Sequence, residues 1–338
     1  MKTQDGSRRV PRNGPWITAV RGLARDRTAI AALAVLLLIV LACLAAPLYA
    51  RHVAHTDPFL SDVAATVTVD GRELAVMQPN ANRLHLGLTP LGPTWRPSAY
   101  LLGSDSQGRD VMARLLYGGR NSLLISAAAT VLCVVMAGVV GIVSGFFGGI
   151  VDAVLSRLMD IMWAIPVYLF AISLSIVTIS QGLRLGPFTI ESDNLLLPIG
   201  IIALVYVPYA ARPIRGRVLT LRHSEFVLAA RGLGVRRSRI LLHDILPNVS
   251  GTLIVLAPLL MALAMLAESA LSFLSIGVQA PAASWGTIIQ DGEGLIYTRP
   301  MVAFAPGLAI VLTVLALNLL GDGLRDALDV RDASRRRE

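Results

Sequence analysis

Uncharged apolar runs, most of them long enough to cross a bilayer, alternate along this chain with short arginine-bearing segments. A hydrocarbon core about 30 Å thick takes roughly 20 residues of helix. The first such run is Ala29–Ala50, and the second runs without charge from Asn121 to Val151. Three more follow at Ile161–Gly182, Asn194–Ala211 and Pro300–Gly321. Between the last two lies Ile245–Gln290, charged only at Glu268 and too long for one helix. It reads as a span from about Ser250 to Val278 and then an external loop holding Pro281 and Trp285. The pattern therefore predicts six membrane-spanning helices.

Finer periodicities fill in the picture. Gly141, Gly145 and Gly149 fall at four-residue spacing, which lines small residues on one helical face and allows close helix approach in lipid. Gly148-Gly149 also reads as a turn before the third span. Residues 64–77 predict a hairpin, with Val67 and Val69 alternating with Thr66 and Thr68 before an Asp70-Gly71 turn. A proline-rich stretch follows, and after Asp105 an apolar stripe of Val111, Met112, Leu115 and Leu116 predicts an amphipathic helix lying on the outer membrane surface. An arginine-rich head precedes the first run, as in a signal peptide. The run is longer than a signal core and further spans follow, so it is expected to stay as an anchor. There is no internal repeat of the kind that builds two-halved secondary transporters.

Composition supports lipid as the main solvent. The chain is 54% hydrophobic and 15% charged, with a mean hydropathy of +0.65. Its net charge of +8 rests on arginine, since Lys2 is the only lysine. The arginines flank apolar spans, which fits membrane orientation rather than nucleic-acid binding. With the N-terminus inside, 21 of the 30 lysines and arginines fall in segments facing the cytoplasm. The positive-inside rule then places both termini of a multi-pass membrane protein in the cytoplasm. The chain divides into a cytoplasmic tail (1–28), a first transmembrane helix (29–50), an extracytoplasmic segment with a hairpin and an amphipathic helix (51–120), a five-helix transmembrane domain (121–321) with a cytoplasmic loop at 212–247, and a second cytoplasmic tail (322–338).

The chemistry is sparse. A P-loop needs a lysine after its glycines, and Lys2 cannot supply it. No nucleophile elbow or zinc-protease motif occurs either, so the chain is expected to be non-catalytic and to hold no cofactor or metal. Cys43 and Cys133 fall in apolar runs and read as small core residues, while His52 and His55 read as part of a solvated loop. Asp160 reads as a boundary charge near Arg157. Glu268 is costly at mid-membrane, about 2.5–3.5 kcal/mol on insertion scales. It is either a contact for solute or neighbouring helices, or a hydrogen-bonded structural group near the outer boundary.

The most informative stretch runs from Glu225 through Ala229, Ala230, Gly232 and Gly234 to Leu246 and Pro247. By composition it is a basic amphipathic loop. Its spacing resembles the coupling loop of binding-protein-dependent ABC importers: Glu-Ala-Ala, three residues, Gly, nine residues, Ile-x-Leu-Pro. Leu228 stands where that pattern has Glu and Asp244 where it has Ile, with Glu225 one turn earlier as a replacement acid. "LLGSDSQGRDVMARLLYGGRNSLL" (101–124) looks like the external motif preceding the core of dipeptide, oligopeptide and nickel permeases, and "NLLGDGLRDALDVR" (318–331) looks like the C-terminal signature of their second, C-type, permease subunit, with Val330 replacing a usual proline. The resemblance covers roughly residues 100–332 and leaves 51–100 unexplained.

The resemblance implies an all-α membrane protein with the type I ABC importer (MetI-like) permease core and a small extracytoplasmic insertion. It implies a homologous permease as heterodimer partner, two ATPase subunits that bind ATP and magnesium, and an extracytoplasmic solute-binding protein. Small residues in the loop would seat it in a groove on an ATPase. Peptides are the expected solute, with nickel or another small solute as an alternative. An ion-coupled secondary transporter, with Glu268 as its one intramembrane carboxylate, and a passive membrane scaffold are the readings from other classes.

Overall fold

A computed structural model describes residues 23–335 apart from 25, 70, 81–86, 182, 186–187 and 191–193. The expectations placed on Lys2, on the N-terminal arginines through Arg25, and on Asp70, Arg336 and Arg337 lie outside the described residues.

Helix α1 (Arg27–Leu44) starts where the Asp26 carboxylate accepts the Thr28 N–H at 2.8 Å. The apolar run does not continue as one α-helix to Ala50. Pro47 opens a new turn at Ala46–Tyr49, which widens into a π turn at Ala50–Ala54. The predicted insertion then forms two antiparallel pairs. Strands β1 (Thr66–Val69) and β2 (Arg72–Ala75) pair with Val69 opposite Arg72 around Gly71, whose φ of 75° suits glycine. Strands β3 (Met77–Pro79) and β4 (Leu88–Pro90) form the second pair. Val76, Leu91 and Tyr100 make a small core of their own beneath them.

Helix α2 (Val111–Phe147) corrects the predicted surface helix: the stripe after Asp105 is the first part of one 37-residue helix, not a separate element. At 1.5 Å per residue it is about 55 Å long, so it projects beyond a bilayer core. Two glycines explain its close packing. A Cβ at Gly141 would meet the Ala211 carbonyl at 2.8 Å, and one at Gly145 would meet Val218 at 2.8 Å. Gly149 does not share that face. Gly148 ends α2 with φ 66°, and Gly149 begins α3 (Gly149–Ala164) with open space around it.

The predicted third span is two helices. α3 and α4 (Val167–Gln181) meet at 91° because Pro166 cannot continue the α3 hydrogen bonding and forces Ile165 into an extended conformation. Arg157 lies inside α3. After strands β5 (Leu183–Leu185) and β6 (Phe188–Ile190), helix α5 (Leu196–Arg222) runs eleven residues past the predicted boundary at Ala211. The extension is held by ion pairs: Arg215 chelates Asp152 at 2.6 and 2.7 Å, and Arg212 bonds Asp160 at 2.8 Å. Asp160 therefore partners Arg212. Arg212 also lies over Trp163, which stacks on Tyr209.

α5 is the hub of the bundle. In its most apolar stretch 67% of residues are buried, against 17% in α1. It packs on α2, α4 and α7 (Leu246–Phe273), while α9 (Met301–Arg335) packs on α1, α7 and the short α8 (Trp285–Gly292). α9 carries the chain as helix through most of the predicted C-terminal tail. The described residues thus hold five long apolar helices plus the bent α3–α4 pair, giving six spans when that pair counts as one.

Candidate functional site

The segment singled out in sequence folds as a short helix, α6 (Glu225–Gly232), hung between the ends of α5 and α7. α5 stops at Arg222, and the Ser224 hydroxyl bonds back to the Leu221 carbonyl at 2.6 Å, turning the chain before α6 starts. Val227 is fully buried in the main core with Phe146, Val218, Ile240 and Ile245. The opposite face of α6 is bare: Phe226, Leu228 and Leu233 are exposed, Leu233 at 84%.

Gly234 has a structural role that its sequence position did not disclose. The Val235 N–H bonds the Ala230 carbonyl and the Gly234 N–H bonds the Arg231 carbonyl, each at 3.0 Å. With Gly234 at φ 75°, this is a Schellman C-cap, closed by apolar contact of Val235 and Ala230 with the same core. Gly232 differs. It is helical, exposed, and nothing lies within 4 Å of the place a Cβ would take. Beyond the cap, Pro247 lacks the N–H that an α-helix would donate to His243, and the preceding stretch Ile240–Ile245 widens into a π helix before α7. Leu246 and Pro247 lie exposed there. Glu225, Ala229 and Gly232 are exposed on α6, while Ala230 is half-buried. Leu228, in the acidic position of the motif, is exposed as well.

Glu268 is far from this loop. Twenty-two residues along α7 from Leu246 span roughly 33 Å. Its side chain is 0% exposed and lies among hydroxyls. Ser272 Oγ donates to Glu268 Oε1 at 2.8 Å, Ser269 lies at 3.5 Å, and Ser122 and Ser284 also bear on the carboxylate. Three of these hydroxyls accept backbone N–H groups: Ser272 from Val278, Ser122 from Trp285, and Ser284 from Thr287. Their protons are left to point at Glu268, so one carboxylate ties together α7, α2 and the N-cap of α8.

A second polar cluster at this end was not found by sequence reasoning. Arg109 Nε bonds Asp105 at 2.7 Å, and Arg109 and Arg114 each bond Asp291 Oδ2 at 2.8 Å. Arg114 Nε lies 3.4 Å from Asp105, outside hydrogen-bonding geometry. The Asp105–Arg109 pair was legible as a four-residue spacing. Asp291, some 180 positions away, carried no local signal. Nearby, burial pushes the Tyr100 phenol up to about 12 and raises the Asp110 carboxyl, against the pull of the Tyr100 and Ala113 N–H groups it accepts.

Comparison with known proteins follows the same outline. Residues 137–331 match the family described as "Binding-protein-dependent transport system inner membrane component", and residues 14–63 match the "N-terminal TM domain of oligopeptide transport permease C". The chain is 34% identical to the dipeptide transport system permease protein of Alkalihalophilus pseudofirmus over 93% of this chain and 90% of that one. It is 34% identical to the oligopeptide transport system permease protein of Bacillus subtilis over 93% and 89%. Among solved structures, an inward-facing conformation of the MetNI methionine ABC transporter covers 64% of this chain and 97% of its own, at a TM-score of 0.51 and 18% identity, which is a likeness of fold.

Proposed function

The chain belongs to the inner-membrane permeases of binding-protein-dependent ABC transporters, in their dipeptide and oligopeptide branch, and from that premise we propose that it forms half of a peptide path across the cytoplasmic membrane and couples that path to separate ATPase subunits. It hydrolyses nothing itself. ATP and magnesium are held by two ATPase subunits, a homologous permease completes the path as a heterodimer partner, and an extracytoplasmic protein delivers the solute. Both termini and α6 face the cytoplasm.

The observation that carries the coupling is the two-faced character of α6. Val227 is locked into the core that joins α2, α5 and α7, while Phe226, Leu228 and Leu233 are bare. A partner that grips the bare face and closes moves α6 as a rigid body, and the buried face passes the motion to α5 and α7. Exposed apolar side chains at this end, flanked by Ala229 and Gly232, suit a close-packed protein groove. The contact set is Glu225, Ala229, Ala230, Gly232, Gly234, Leu246 and Pro247, with Gly234 acting by shaping the loop and Glu268 acting as a structural tie at the other end.

Gly232→Trp tests this directly, because it adds bulk to the exposed face in a helical backbone with open space. Overpacking an interface costs about 1–3 kcal/mol, or roughly five- to a hundredfold in docking. The variant should insert normally and lose ATPase co-purification or solute-stimulated hydrolysis and uptake. Normal assembly and uptake by Gly232→Trp and Ala229→Asp would remove the coupling assignment.

A further inference from the structure

Behind α6, away from its bare face, lies a cavity of about 450 Å³ lined by Phe146, Phe147, Arg222, Arg231, Val235 and Arg237. Three guanidiniums from three parts of the chain converge on it: the end of α5, the last turn of α6, and the start of the segment leading to α7. Arg231 is four residues after the buried Val227 and so shares its inward side of the helix. Its Cζ lies 5.6 Å from the centre of the Phe146 ring. Arg222 enters because Gly148 has no side chain: a Cβ there would come within 2.6 Å of Arg222 Nη1. Among the described residues none of the three forms an ion pair. Asp152 feels the Arg222 charge but is already chelated by Arg215.

Three clustered cations without a carboxylate repel one another, and an anion with several acceptor oxygens relieves that repulsion through charge-assisted hydrogen bonds. The apolar edge of the cavity indicates its source. Phe147 is half-exposed and Ile150, on the next turn of chain, is 83% exposed, so the cationic floor borders a surface suited to acyl chains. We propose that this cavity is a binding site for the phosphate headgroup of an anionic phospholipid, seated between the membrane helices and the inward side of α6. The bound headgroup bridges α5 and α6 and stiffens the loop. This site does not depend on what α6 docks against.

The test uses the full chain co-purified with its partner subunits in mild detergent. Bound lipid is counted by native mass spectrometry during titration with phosphatidylglycerol, or with phosphatidylcholine of the same acyl chains. The expected result is at least a tenfold preference for phosphatidylglycerol. Arg231→Gln and Arg237→Gln should each weaken it roughly fivefold, following the contribution of one arginine near an anionic headgroup. Arg237→Lys should retain most of the preference. Arg237 is exposed, so its variants decide the matter even if Arg231→Gln fails to insert. Equal binding of the two lipids, or a preference untouched by both glutamine variants, would overturn the proposal. Complete displacement by millimolar inorganic phosphate would reassign the site to free anions. Loss of the lipid whenever ATPase subunits are bound would assign the arginines to the protein interface instead.

Discussion

Asp291→Asn should loosen the end of the bundle opposite α6 without unfolding the rest. In the native protein Asp291 Oδ2 takes one guanidinium hydrogen bond from Arg109 and one from Arg114, both at 2.8 Å. The two arginine side chains are 8% and 3% exposed, so neither can recover full hydration when the carboxylate is gone. Breaking a buried pair by removing one partner costs about 3–5 kcal/mol. Asp291 itself is 25% exposed, and an exposed pair is worth about 0–1 kcal/mol. The expected loss therefore falls between these limits, at about 2–4 kcal/mol. Asp105→Asn should cost more, since Asp105 is 1% exposed and also accepts the backbone N–H groups of Gln107 and Arg109. The assay is thermal unfolding of the purified protein in detergent, with Arg114→Met and the double variant completing a cycle. Because both positions share one network, the double variant should lose less than the two single losses together. If Asp291→Asn melts with the wild type, or the two losses simply add, the cluster is not the clamp described here.

Glu268→Gln should destabilise more than its small change in shape suggests, because its amide N–H₂ faces hydroxyl protons where a carboxylate oxygen stood. Each polar group left unsatisfied costs about 1–3 kcal/mol, and a Glu268→Gln protein as heat-stable as the wild type would refute the hydroxyl ring. Orientation is open to a labelling test, since Cys43 and Cys133 are both buried and leave a quiet background. A cysteine replacing the exposed Ser61 should react with an impermeant thiol reagent from outside, and one replacing the exposed Ser238 only after lysis. The reverse pattern would invert the topology.

How much of this protein could be read in one dimension follows the range of the forces involved. The apolar runs, the arginine bias and the spacing from Ala229 to Pro247 are local records of lipid contact and of a loop with small residues. Those signals led to the six spans, the family and α6. Helix ends were less legible. α5 outruns its apolar stretch because Asp152 and Asp160, on another helix, neutralise Arg215 and Arg212. α2 begins ten residues before its uncharged run, with Arg120 lying over Tyr117 and Arg114 paired with an aspartate contributed by α8. In both cases hydropathy alone counts a charge as a boundary, whereas a distant partner cancels its cost. Gly234 was marked by its position in a motif, but only the backbone showed that its left-handed φ caps α6. Glu268 was marked by its cost in lipid, yet the hydroxyls that offset that cost come from α2, α7 and the turn before α8. The arginine cavity had no signature at all, because Arg222, Arg231 and Arg237 read singly as orientation charges. Lipid solvation and helix periodicity are written residue by residue. Electrostatic pairing across helices exists only once packing has brought the partners within a few ångströms of each other.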